Sequence, residues 1–522
     1  MLRPWSLPLV VVALLTEMAI AMITTAVAQS PTIDEPVYVG TATVYLEQHS
    51  LRYNPEHPPL GKLIVASGLA FADVHLDPAF AGDQTQLGRH VLYEPGNDPG
   101  RLLFLARLPT IVLTLLFGLV VFAFARDLTG PAGGVTALAL YAFSPDVIAH
   151  GSLATLDVPV TGFLLTSTWL LWRARDRPAR YLPFAGLALG AALATKMSAL
   201  PAVPVLLTLA AVSSWRTVPR LGRAVAAAIG VALIAVAVVW AAYLAVDPRL
   251  RWAEPAGLPA LHGPRSLAGW LPLPRPYVDG MRVQFAFEDR TWSTFLFGTY
   301  HPGALWYYVP AALLVKLPLG ALALGLAGAV VLVVRLRPAA LYVLVPTAVL
   351  LAAAMTSTRD LGVRYAISVP MFLAVAAAGL VVVHRRWVHA AVAALVVFAA
   401  VSSLRTFPYY LPYSNEAFGG PAETHLRLHD SNVDWGQDLG RLHQRYPHDR
   451  LWLVYKGSGV PSAYGIDAAD PRTVPPDEVH GLLAVSDSAI AKADAQLTAL
   501  LSGSVPIDEV GHSITIYRRP QF

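Results

Sequence analysis

Asp34 and Glu35 stand side by side just beyond the first long apolar run of the chain, and Asn54-Pro55-Glu56-His57-Pro58-Pro59-Leu60-Gly61-Lys62 follows them. Ionisable groups at the edge of a bilayer cost free energy unless they are held for a purpose, so they mark candidate chemistry. A carboxylate kept in a partly dry site acts as a general base, because desolvation raises its proton affinity toward working pH. The alternative for Asp34 and Glu35 is a solvated pair at a helix end. Pro58 and Pro59 fix an extended turn and leave a helix that projects Lys62, either into a site or out to lipid headgroups. A third polar patch, Ser144-Pro145-Asp146, His150 and Leu153 to Pro159, places Asp157 at a helix start, where it either lines a site or caps the helix. Lys196 and the pair Arg364-Tyr365 fall at membrane boundaries, as phosphate ligands or as snorkelling cations.

These acids and cations converge on one side of the bilayer. A phosphate needs cations or N–H donors to carry its charge as it leaves, and arginine grips it bidentately. A polyprenyl phosphate sugar suits such a place, with its tail in hydrocarbon and its sugar and phosphate at the aqueous edge. Transfer of that sugar needs one base to deprotonate an acceptor hydroxyl. A glycosidase, by contrast, needs two opposed carboxyls about 5 to 9.5 Å apart.

The elements that must position these groups are membrane helices. The chain has 522 residues, 55% of them hydrophobic and 14% charged, with a mean hydropathy of +0.52. Apolar windows of the length needed to cross a bilayer recur about eleven times. They lie near Leu7 to Ala28, Leu102 to Ala125, Gly133 to Ile148, Val158 to Trp172, Leu182 to Thr195, Pro201 to Ala211, Ala224 to Val246, Leu305 to Val334, Leu341 to Met355, Tyr365 to Val383 and Val388 to Leu404. Arg3, Arg126, Arg173 to Arg180, Arg216 to Arg223, Arg335, Arg337, Arg385 and Arg386 fall on alternate loops, which the positive-inside rule assigns to the cytoplasm of an inner (plasma) membrane. Loops 29–101 and 247–304 and everything after Arg405 are then extracytoplasmic. The net charge of +4 reflects this basic rim and gives no reason to expect a nucleic-acid partner. Ala26-Val27-Ala28 resembles a signal-peptidase site, but the apolar run before it exceeds the usual ~7 to 15 residues, which favours a retained helix. The absence of cysteine excludes disulfides and thiolate chemistry.

The expected fold class is therefore an α-helical polytopic membrane protein, residues 1–405, followed by a small α/β extracytoplasmic domain, 406–522. In the latter, β-like runs fall at Leu451 to Tyr455, Leu482 to Val485 and Ser513 to Tyr517. Trp435, Leu439 and Leu442 recur at helical spacing, with Asp430, Ser431 and Asn432 as candidate caps. No P-loop or dinucleotide fingerprint is present.

Asp34-Glu35-Pro36-Val37-Tyr38-Val39-Gly40 followed by His57-Pro58-Pro59-Leu60-Gly61-Lys62 resembles the paired signature of the protein O-mannosyltransferases, which belong with the bacterial aminoarabinose transferases to glycosyltransferase family 39 of the polytopic GT-C enzymes. Trp306 to Pro310, Lys316-Leu317-Pro318, Arg364-Tyr365 and Asp430 to Asp438 are similar to a bacterial branch described as phospholipid carrier-dependent glycosyltransferases. The resemblance implies an inverting transfer from a polyprenyl phosphate sugar to a hydroxyl of a protein, lipid or glycan on the outer face. It implies Asp34 as catalytic base with Glu35 its neighbour, and Asp157 as a second acid lining the cavity. His57 and Lys62 then lie in the family's proline loop, and Lys196, Arg364 and Tyr365 serve the donor. The chain departs from the eukaryotic members: it carries no segment resembling their β-trefoil insert, and it has a C-terminal domain that they lack. No spaced set of metal ligands stands out, although His57 with nearby acids offers donors for a divalent ion. The rival reading is a lipid or sugar transporter or flippase, which requires charges near mid-membrane and related halves. A scaffold that has lost activity is a third.

The topology is checked by fusing reporters: one placed after Arg177 is expected to report a cytoplasmic position and one at the C-terminus an external position. The reverse pattern would move every candidate site residue to the other side of the membrane.

Overall fold

The computed structural model describes residues 6–520; Arg3, assigned above to the cytoplasmic side, lies outside the described residues. Every apolar window named above is largely helical, although Gly133 to Ile148 and Leu305 to Val334 each run across a bend between two helices and Tyr365 to Val383 mixes α-helix with 3₁₀ turns. The chain opens with α1 (Ser6–Ala28), then three short helices, α2 (Glu35–Gln48), α3 (Pro59–Leu69) and α4 (Gln84–Tyr93), before the long α5 (Pro99–Thr129). Next come α6 (Pro131–Ala142), α7 (Pro145–Gly151), α8 (Asp157–Ala174), α9 (Pro178–Thr195), α10 (Val203–Thr217) and α11 (Leu221–Val246). After a segment with α12 (Arg275–Glu288) and the hairpin β1 (Thr294–Leu296) and β2 (Thr299–His301), the helical block is completed by α13 (Tyr308–Lys316), α14 (Leu319–Arg335), α15 (Arg337–Met355), α16 (Ser368–Ala377) and α17 (Arg386–Thr406).

Six of these spans are long and apolar enough to cross a membrane, or eight if the bent pairs α6–α7 (63°) and α13–α14 (120°) each count as one. The protein is a multi-pass membrane protein; helix length and composition alone stop short of the expected count of about eleven crossings. Proline starts many of these helices, which suits a first-turn position whose N–H has no helical partner. At the basic ends, Arg173 of α8 pairs with Asp127 of α5 at 2.6 Å, and Arg175 lies over Trp172 and faces the ring of Tyr342 near the start of α15. Ser213 near the end of α10 bonds the same Tyr342 hydroxyl. The arginine-bearing helix ends thus gather on one face, and the opposite ends carry the acids.

On that opposite face α2, α3 and α4 form a small cap with its own apolar core of Val39, Val44, Val65, Leu87 and Val91. The helices α2 and α4 approach closely: a Cβ on Gly88 would stand 2.3 Å from the Pro36 carbonyl carbon, so that contact requires glycine. The cap is fastened to the membrane block by one fully buried ion pair. Arg107 of α5 donates to both oxygens of Glu35, at 2.7 and 2.6 Å, and its remaining N–H groups bond the carbonyls of Ala26, Gln29 and Ser30. Glu35 also accepts from the Thr32 and Ala154 N–H groups.

The C-terminal residues begin as an irregular segment, 407–438, laid across the membrane block, with Trp435 and Tyr410 in the main helical core. Lys316 holds that segment: its ammonium donates to the Leu411 and Asn432 carbonyls and lies 3.3 Å from Asp146. Beyond it, α18 (Leu439–Arg445) precedes a five-stranded mixed sheet in the order β4-β3-β5-β7-β6. Its strands are β3 (Leu451–Val454), β4 (Ala468–Ala469), β5 (Gly481–Ser486), β6 (Val505–Val510) and β7 (Ile514–Arg519), with α19 (Asp487–Ile490) and α20 (Ala495–Ser502) between β5 and β6. The three β-like runs read from the sequence fall on β3, β5 and β7. The helix expected from Trp435 onward starts only at Leu439, because residues 430–437 bind the membrane block instead.

Arg107→Met leaves the Glu35 carboxylate buried without its partner, and removing one member of such a pair costs about 3–5 kcal/mol. The expected outcome is a large fall in thermal unfolding midpoint in detergent; a midpoint within a degree or two of the parent would show that the pair does not hold the cap.

Candidate active site

Between α8, α15 and the 3₁₀ turn Met197–Ala202 that precedes α10 lies a cavity of about 840 Å³. Val160, Leu164, Leu200 and Leu350 line its apolar part, and Asp34, His57, Lys196, Arg359, Arg364 and Tyr365 line its polar part. A pocket of this kind accepts a molecule with one greasy and one charged end.

Asp34 and Glu35 divide at the start of α2. Consecutive residues of a helix point about 100° apart, so one carboxylate faces the cavity while the other turns into the core. Asp34 occupies the N-cap position without bonding the helix N–H groups, which leaves its carboxylate, 27% exposed, to accept from Arg364 Nη1 at 2.6 Å. Glu35 does not line the cavity. Burial alone would raise its pKa, but the Arg107 guanidinium and the Thr32 and Ala154 N–H groups outweigh burial and hold it below the ordinary carboxylate range.

Asp157 begins α8 but makes no capping bond; its Oδ1 accepts from Lys196 Nζ at 2.6 Å and its Oδ2 is 4.0 Å from Arg364 Nη1. Lys196 is 6% exposed and also lies 5.4 Å from the Tyr365 ring centroid. Arg364 is 8% exposed, stacked 4.5 Å from the Trp435 centroid, and its Nε is buried with no hydrogen-bond partner. Neither cation snorkels. Asp34, Asp157, Lys196, Arg364 and Tyr365 form one network with a donor still unspent.

His57 lines the cavity, and Lys62 does not. Lys62 is fully buried and donates to the carbonyls of Asn54 and His57 and to Asn54 Oδ1, so it fixes the shape of the proline loop. Burial, with the cations Lys196 and Lys62 nearby, pushes the His57 pKa well below the ordinary histidine value. His57 is therefore a neutral hydrogen-bonding group near pH 7.

The residues that aim Arg364 come from the C-terminal segment. Asn432 Oδ1 accepts the Val363 N–H at 3.0 Å, and Ser431 Oγ donates to the Leu361 carbonyl at 2.6 Å. Between them Gly362 has φ +146°, and a Cβ there would lie 2.1 Å from Ser431 Oγ, so the turn before Arg364 demands glycine. The same segment reaches Asp34: the Ile33 N–H donates to the Trp435 carbonyl, and Ser30 exchanges bonds with Gln437 and Leu439. Asp430, beside these residues, would be raised by burial, but Lys456 and His429 outweigh that and leave its carboxyl below the ordinary range.

Sequence reasoning missed Arg359, which enters the cavity and pairs with Glu288 of α12 at 2.6 Å, and Arg107, which sits inside an apolar run. An arginine within an apolar membrane window, Leu102 to Ala125, was the available signal for the second. Trp435 was read as the face of a helix and is instead the platform under Arg364.

The family model described as dolichyl-phosphate-mannose-protein mannosyltransferase matches residues 100–240, little more than a quarter of the chain, which include Asp157 and Lys196. Among solved structures, ArnT from Cupriavidus metallidurans in the apo state is similar over 98% of this chain and 98% of that one, with a TM-score of 0.52 at 13% identity. The same protein bound to undecaprenyl phosphate gives 0.49 at 12% over 99% and 98%. The Saccharomyces cerevisiae protein O-mannosyltransferase Pmt1–Pmt2 complex bound to the sugar donor gives 0.36 at 18% over 48% of this chain and 34% of that one. No curated protein sequence matches. The fold is therefore similar to that of ArnT over nearly the whole of both chains.

Asn432→Ala removes the anchors of the Val363 N–H and the Tyr308 hydroxyl while leaving every cavity residue in place. Loosening the turn that carries Arg364 is expected to weaken binding of an anionic lipid by roughly tenfold, the equivalent of about 1.4 kcal/mol. Unchanged lipid affinity would show that Asn432 does not position Arg364.

Proposed function

We propose that this chain is a glycosyltransferase of the inner (plasma) membrane that moves a sugar from a polyprenyl phosphate sugar to an acceptor hydroxyl on the outer face. The observation that carries the reading is the single cavity that is apolar along α8 and α15 and, at its polar end, sets the Asp34 carboxylate against Arg364 and Lys196. The apolar part suits the prenyl chain, and the cations suit the phosphate. The basic helix ends on the opposite face favour an extracytoplasmic site and C-terminal domain.

In this reading the acceptor oxygen attacks the anomeric carbon, the bond from that carbon to the phosphate oxygen breaks, and the electron pair leaves with the polyprenyl phosphate. Asp34 takes the hydroxyl proton, and attack opposite the leaving group inverts the anomeric centre. Arg364 has a buried Nε without a hydrogen-bond partner, which a shift of the side chain would offer to a phosphate oxygen, and Lys196 has N–H groups beyond the one given to Asp157. As the phosphate draws Arg364 toward itself, its hold on Asp34 weakens and the carboxylate becomes available as the base. Donor binding and activation of the base are thereby linked through one guanidinium. Glu35 and Lys62 are positioning residues, and Tyr365 and neutral His57 are hydrogen-bonding groups for the sugar or the acceptor.

Asp34→Asn removes the base with little change of shape, and loss of a general base costs about 10²- to 10⁴-fold in rate. The expected outcome is loss of turnover with the donor lipid still retained, read by mass spectrometry of the purified protein. Wild-type turnover by that variant would refute the role of Asp34. Failure of both parent and variant to retain any polyprenyl phosphate sugar would favour the transporter.

A further inference from the structure

Away from the cavity, three residues meet where the sheet domain touches the segment that follows α17. His425 ends the 3₁₀ turn Pro421–Leu426, Asp487 is the first residue of α19, and Glu509 lies on β6. One ligand atom from each lies within 4.8 Å of the others.

The surroundings of this group point to a cation. Asp487 is 5% exposed; Thr515 Oγ1 donates to its Oδ1 at 2.7 Å, while its Oδ2 is buried with no hydrogen-bond partner. His425 likewise has a buried Nδ1 without a partner. Among the described residues no lysine or arginine forms an ion pair with Asp487 or Glu509; Glu509 pairs only with His512, at 3.2 Å. Two carboxylates with a shared approach and only the His512 imidazole as a possible counter-charge, one of them buried, are costly unless something positive joins them. The outer contacts have the form found around metal sites, where a hydroxyl or imidazole orients a ligating carboxylate and leaves its other oxygen free.

We propose that His425, Asp487 and Glu509 bind a zinc-like divalent cation that staples the C-terminal sheet to the membrane block. One imidazole nitrogen and two carboxylate oxygens are a ligand set that zinc accepts, with water completing the tetrahedron, whereas calcium prefers six to eight oxygens. Tetrahedral zinc with bonds near 2.0 Å sets its ligands about 3.3 Å apart, so the ion would draw the group, now within 4.8 Å, closer together. The staple joins strands β5 and β6 to the 3₁₀ turn, which is tied below by Thr424 Oγ1 to the Pro412 carbonyl and through the Arg427 carbonyl to the Phe297 N–H. Ser488, next to Asp487, bonds both Asp434 and the Asp430 N–H. The ion thus sits one residue from the stretch that anchors the Arg364 turn, and its occupancy would stiffen that anchor. The inference is independent of the transfer reaction.

The test uses tag-free full-length protein in detergent, stripped with chelator and titrated with zinc alone. The expected result is one bound equivalent and a thermal midpoint raised by several degrees, both lost in His425→Ala and in Glu509→Gln, variants at partly exposed positions whose folding is checked by gel filtration. Absence of zinc binding by the parent would overturn the proposal. So would binding that both variants retain, including binding lost only in His57→Ala, which would place the ion in the cavity.

Discussion

The buried pair of Glu35 and Arg107 is the constraint on which the rest of the site depends. Two opposite charges removed from water are tolerable only when each has its full set of partners, and here every guanidinium N–H that the pair can offer is used on Glu35 or on the carbonyls of Ala26, Gln29 and Ser30. The result is that the chain leaving α1 is locked to α5 in one conformation. Asp34 sits in the middle of that lock. Its position is set by the residue next to it, and its own carboxylate is left over for the cavity. A pair that looks in sequence like two equivalent acids is in the structure one strut and one functional group.

The second lock comes from far along the chain. Ile33 bonds Trp435, Ser30 bonds Gln437 and Leu439, and Val363 bonds Asn432. The stretch 430–439 therefore touches both sides of the Asp34–Arg364 contact, holding the carboxylate through one set of bonds and the cation through another. Lys316 and Asp146 hold that stretch in turn. The sheet domain is built onto the end of a segment that already belongs to the site, which explains why its first residues resist helix formation despite a helical spacing of apolar side chains: their polar groups have better partners in the membrane block than in a helix.

Much of this was legible in the sequence. Composition and apolar windows marked the class and the long apolar helices, because hydrocarbon imposes a strong and local rule on the residues that cross it; the more polar α2, α4 and α12 were not among those windows. Asp34, Asp157, Lys196 and Arg364 stood out because charge at a membrane boundary is costly, and all four meet in one network. Glu35 and Lys62 stood out for the same reason, yet both are spent on fixing the loops rather than on the cavity. Nothing local distinguishes a charge that faces a cavity from one that faces a carbonyl; the difference lies in contacts between residues tens to hundreds of positions apart. Arg359 and Trp435 were missed on the same ground, since their roles arise from where α12 and the C-terminal segment fold back.

The charge balance of the cavity ties these parts together. Arg364, Lys196 and Arg359 are each matched by a carboxylate, Asp34, Asp157 and Glu288. Any anion entering this cavity would meet positive charges already engaged, and would have to share or displace a carboxylate to bind. The three pairs are not equivalent in this respect. Asp157 is buried and cannot be left without Lys196 except at high cost, and Glu288 has Thr358 and Ser357 as further partners. Asp34 and Glu288 are equally exposed, at 27%, but Arg364 is the sole side-chain partner of Asp34 among the described residues. The pair that would yield most readily to an arriving anion is thus Asp34 with Arg364, and its release would leave a carboxylate unpaired beside the cavity. A fold that fixes Glu35 so completely can leave its neighbour free to change partners.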